Sequence, residues 1–146
     1  MPFREKSAWV MVFALLIAGA AYVVIVLQDS LPLGHIAPPE GGLVLAYLIV
    51  LGIVAGFGEA IIALLSPKDA NAPADERDRL IAAHAGEVFG QVLAVGLAIL
   101  LGSYVLGPHG GTAIGGYALF HGGLVLLMAA QITEYAAQIV RYRRGV

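Results

Sequence analysis

Apolar residues fall into four long runs separated by short stretches rich in charges or helix breakers. Ser7 to Leu27 carries no charge; Leu43 to Leu65 has one acidic residue, Glu59; Leu80 to Leu106 has His84 and Glu87; Gly115 to Val140 has His121 and Glu134. A helix that crosses a bilayer needs about 20 mostly apolar residues, and each run is long enough. Leu31-Pro32 and Pro38-Pro39, Ser66-Pro67, Gly107-Pro108 and Arg141 mark their ends. The pattern predicts an all-α integral membrane protein, an antiparallel four-transmembrane-helix bundle. It forms a single membrane domain over 1–146, with helices over about 7–27, 43–65, 75–106 and 115–140 and a loop over 66–79.

Orientation follows from the basic residues, because Lys and Arg in short loops stay on the cytoplasmic side. Arg4 and Lys6 precede the first helix, Lys68, Arg77 and Arg79 lie between the second and third, and Arg141, Arg143 and Arg144 follow the fourth. The stretches Gln28 to Gly42 and Gly107 to Ile114 have none. Both termini and the middle loop are therefore expected in the cytoplasm (N-in, C-in), with the chain in a bacterial inner (plasma) membrane. Arg4, Lys6 and Ala18-Gly19-Ala20 imitate a cleavable signal, but the apolar run continues to Leu27, too long for a signal segment.

Composition narrows the chemistry. The chain is 60% hydrophobic and 12% charged and has no cysteine, which excludes a disordered chain, a disulfide scaffold, thiolate metal sites and a cysteine nucleophile. The lipid bilayer is the expected partner, and no nucleic acid is. Glycine and alanine at four-residue spacing, Gly52-x3-Gly56 on the second helix and Ala82, Gly86, Gly90 and Ala94 on the third, are expected packing faces, within the bundle or in a homo-oligomer.

Ionisable side chains inside a membrane are costly and face protein or water. Glu59, Glu87 and Glu134 each lie seven or eight residues from the cytoplasmic end of a helix, so all three are expected in one layer, about 10–12 Å deep. His84, Glu87 and Gln91 share one helix face, as do Gln131, Glu134 and Gln138. Helices two, three and four are thus expected to enclose a cytoplasm-facing site of Glu59, His84, Glu87, Gln91, Gln131 and Glu134, with the first helix as an apolar support. Such a site suits a proton, a cation or a small polar ligand, and transport, sensing or gating. A divalent cation on His84, Glu87 and Glu134 is one version, and an outer metal site of His35, His109 and His121 another; no other cofactor is indicated. The structural alternative has the glutamates bonded to Gln91, Gln131, Gln138, Thr133 and His84, and His121 bonded to a backbone carbonyl. No paired nucleophile and base is visible, so an enzyme is not expected. Trp9, Tyr22 and Tyr142 are expected interfacial anchors.

The segment from Ser66 to Arg79 combines turn residues with mixed charge. Asn71 or Asp69 is expected to cap a helix entering at Pro73, with Asp75, Glu76 and Asp78 in its first turns. Asp75, Glu76, Arg77 and Arg79 are also candidates for docking a cytoplasmic protein, which makes a non-catalytic accessory or regulatory subunit the second functional expectation. With Phe3-Arg4-Glu5-Lys6-Ser7-Ala8-Trp9 at the start, Asp75-Glu76-Arg77-Asp78 entering the third helix and Arg141-Tyr142-Arg143-Arg144 at the end, the chain resembles a class of small bacterial four-helix inner-membrane proteins. The resemblance implies the four-helix topology and carries no activity.

Overall fold

The computed structural model describes residues 2–70, 72–106 and 115–145, and these form an all-α protein. Its elements are α1 (Phe3–Ser30), α2 (Gly41–Leu65), the short α3 (Pro67–Ala70), α4 (Glu76–Leu106) and α5 (Gly116–Arg144). Helices α1, α2, α4 and α5 are each long and apolar enough to cross a membrane. At 1.5 Å per residue they run about 37–47 Å, longer than the roughly 30 Å hydrocarbon layer, so each can carry its polar turns beyond it.

The long helices are antiparallel to their neighbours in sequence. Side chains at the start of α1 bond to the residue after α2, to the start of α4 and to the end of α5, so these four termini share one end of the molecule. The α4 start is closed by a reciprocal cap. The Asp78 amide donates to Asp75 Oδ1 at 2.6 Å, and the Asp75 amide donates to Asp78 Oδ2 at 3.3 Å. The cap is therefore Asp75 and the helix begins at Glu76, later than an entry at Pro73; Asn71 and the Asp69 side chain lie outside the described residues.

Across the molecule the order is α2, α1, α5, α4: α1 packs on α2 and α5, α5 packs on α4, and α2 and α4 make no extensive contact. This corrects the expected enclosure by helices two, three and four. The first helix is an inner member. Ala8, Val12, Leu15, Ala18, Tyr22 and Val26 repeat every three or four residues and are all buried, whereas α2 buries only Tyr47 and α4 only Ile81 and Ala85. One core joins Ala18, Tyr22 and Val26 to Tyr47 and Met128; a second, nearer the charged end, joins Ala8 and Val12 to Ile139.

Glycines explain the order. A Cβ on Gly58 would overlap Val10, and one on Gly96 would overlap Leu126; one on Gly19 would sit 3.2 Å from Met128 Sδ, and one on Gly122 3.0 Å from Leu100 Cδ1. These four let α1 approach α2 and α5, and α4 approach α5. Gly52, Gly56, Gly86 and Gly90, the expected packing faces, instead face open space. Small residues permit close approach, but the side chain opposite decides whether it happens.

Candidate functional site

At the charged end, three helices meet on one carboxylate. Asp78 of α4 receives Arg4 Nε of α1 at 2.9 Å and the Tyr142 hydroxyl of α5 at 2.8 Å. Burial pushes the Asp78 carboxyl up, but the Tyr142 hydroxyl, the Asp75 backbone and the Arg4 guanidinium together outweigh it and hold the group below its ordinary value. Tyr142 is pushed well above the usual phenol range, first by burial and then by its bond to Asp78. Arg77 Nη2 reaches the Tyr142 carbonyl at 3.3 Å. Beside this knot, Arg143 Nε pairs with the buried Glu5 at 3.3 Å and its guanidinium lies 5.5 Å from the centre of the Trp9 ring. Lys6 Nζ donates to Ser66 Oγ at 3.1 Å. Tyr142 is thus a buried strut rather than an interfacial anchor.

The three segments that carry the four-helix resemblance all end in this clamp. Sequence reasoning singled out Asp75, Glu76, Arg77 and Arg79 for docking; all four are exposed, but Asp75 caps α4 and Arg77 holds α5. It passed over Glu5, Arg4 and Arg143 as partners. The available signal was that opposite charges stand at helix ends destined for the same side.

The glutamates do not converge on one enclosed site. Glu59, half-buried on α2, accepts a hydrogen bond from Ser7 Oγ, so α1 does supply a polar group at this level. Glu134 is half-buried on α5, and its neighbour Tyr135 packs against the cluster of Ala8, Val12 and Ile139. Glu87 stands apart on the outward side of α4, its side chain 70% exposed, and pairs with His84 Nδ1 at 3.3 Å. Gln91 is exposed one turn further along α4, and Gln131 is half-buried on α5. Thr133 donates to the Ala130 carbonyl at 2.7 Å, within its own helix.

Two open grooves meet at His84 and Arg141. The larger, about 780 Å³, is bordered by Asp75, Glu76, Arg77 and Glu87; the smaller, about 290 Å³, by Ala137, Val140 and Arg144. Neither takes in Glu59 or Glu134. Among the described residues no three His, Asp or Glu side chains are grouped to hold a metal ion, so the trio His84, Glu87 and Glu134 is not a preformed centre. The one-turn His84–Glu87 pair forms as its spacing suggests, but Glu134, half-buried on α5, is not grouped with it.

At the opposite end, His121 is buried and both ring nitrogens are occupied. Nε2 lies 3.0 Å from the Ala37 carbonyl, which can only accept, so Nε2 carries the proton and Nδ1 accepts from the Tyr22 hydroxyl at 2.7 Å. This meets the expectation of a backbone partner and corrects the outer metal site: His121 has no free nitrogen, His35 is exposed and bonded to the Ile36 carbonyl, and His109 lies outside the described residues. Tyr22 is likewise a buried hydrogen-bonding residue and not an interfacial anchor.

No family model matches the chain, and neither a curated protein nor a solved structure is significantly similar to it.

Proposed function

We propose that the chain is a four-span integral protein of the bacterial inner membrane, with both termini cytoplasmic. It serves as a non-catalytic accessory or regulatory subunit that packs the outward face of α4 against another membrane-embedded helix. Two features support the placement. Large apolar side chains such as Phe57, Leu64 and Ile99 are open on the outer helices, as lipid contact requires, and the basic residues gather at one end, as the cytoplasmic side requires.

The assembly reading is carried by one observation: Glu87 is 70% exposed, and Gln91 lies open one turn deeper, on a helix apolar enough to span. Hydrocarbon offers these groups no hydrogen bond, so protein or water must cover them. Gly86 and Gly90 on the same helix are open and leave room for a second backbone. The test is the mass of the particle extracted in mild detergent. Wild type should run with a different bound membrane subunit, and Glu87→Leu with Gln91→Leu should shed it; a particle holding only copies of this chain would overturn the accessory role. A wild-type particle of one chain alone would overturn the reading.

Ion- or proton-linked transport, sensing or gating is a second reading. It is favoured by two half-buried carboxylates, Glu59 on α2 and Glu134 on α5, carried by helices apolar enough to span. Proteoliposome ion flux that falls in Glu59→Gln with Glu134→Gln would support it; unchanged flux would remove it.

A further inference from the structure

Arg4, Lys6, Arg77 and Arg143 are committed to the clamp. Arg141 and Arg144 are different: they form no ion pair with any described carboxylate. They stand three residues apart on α5 and line the smaller groove, about 290 Å³, together with His84 of α4 and the apolar Ala137 and Val140. This groove has no acidic lining residue. Its larger neighbour holds Asp75, Glu76 and Glu87, so an anion is directed to the smaller one.

Two guanidinium groups on one helix face are suited to phosphate, because each presents a planar fork of N–H donors. Glu87 engages His84 Nδ1 and fixes that ring as the wall of the groove. The apolar side continues away from the arginines through Val140, itself 45% exposed, toward the spanning part of α5. A ligand with a phosphate at one end and a hydrocarbon chain at the other satisfies both parts, which free phosphate does not. We propose that this groove binds the headgroup of an anionic phospholipid. The inference rests on the membrane placement and orientation proposed above.

The test uses the full chain reconstituted in vesicles of equal phosphatidylglycerol and phosphatidylcholine, then extracted in mild detergent for native mass spectrometry. Wild type should retain phosphatidylglycerol in preference, and Arg141→Gln with Arg144→Gln should lower that preference roughly tenfold, since these two guanidinium groups are the groove's charged contacts to phosphate. Arg79→Gln should leave it unchanged. No preference in wild type, or one that survives the double substitution, would overturn the site. Equal loss in Arg79→Gln would mean diffuse charge attraction, and displacement by inorganic phosphate alone would mean a free-anion site; either overturns the lipid assignment. Alkaline carbonate extraction separates the two readings. Release of the chain defeats the membrane placement, whereas a retained chain without lipid preference defeats this site alone.

Discussion

Asp78 belongs to α4 yet is held by side chains of α1 and α5, so its carboxylate links three of the four long helices. Removing the Tyr142 hydroxyl in Tyr142→Phe should cost about 1 kcal/mol, read as a lower thermal midpoint in detergent. Because the folded state holds Asp78 below its ordinary value of 3.8, its contribution is complete above that value and is lost as pH falls through the lower folded-state value. Wild type should therefore lose stability below about pH 4, and Asp78→Asn should lose less over the same interval. Equal losses would show that Asp78 is not the titrating group. At the other end, His121→Leu leaves the Tyr22 hydroxyl and the Ala37 carbonyl without their partner and should cost about 2–3 kcal/mol. His121 was legible as a buried histidine seeking a carbonyl, and His84–Glu87 as a one-turn pair. Tyr22 and Glu5 were not, because their partners lie on the helix most distant in sequence.

At the scale of elements, the four apolar runs give the four long helices, and the charges at their ends give the clamp. Lateral order was not legible. Apolar residues surround every helix, so periodicity marks no inward face; the close-packing glycines do, and only once the residue opposite is known. Gly58→Ala should destabilise by about 1–3 kcal/mol, because Val10 is β-branched and stiff in its helix. Gly56→Ala, in open space, should be neutral or slightly stabilising because alanine is the better helix former. Equal effects at the two positions, measured by thermal unfolding in detergent, would mean that α1 and α2 do not meet at Gly58. The expected convergence of the three glutamates failed for the same reason. Depth along a helix is a count of residues, whereas convergence needs the rotation of each helix about its axis.

For the whole molecule, the outer positions of α2 and α4 leave two helices with one packed side each. On α2 the open side is apolar, with Phe57 and Leu64 among its residues, and lipid covers such a surface at no cost in hydrogen bonds. On α4 it includes Glu87 and Gln91, which lipid does not satisfy. That asymmetry is the basis of the proposed contact between α4 and a neighbouring helix. The chain has no cysteine, so a single introduced thiol reports its own surroundings. The decisive measurement is thiol crosslinking in intact membranes from Gly86→Cys and Gly90→Cys on α4, compared with Gly52→Cys and Gly56→Cys on α2. The α4 positions should give a discrete adduct with a second polypeptide and the α2 positions should not; no adduct from α4, or equal adducts from both helices, would contradict the account.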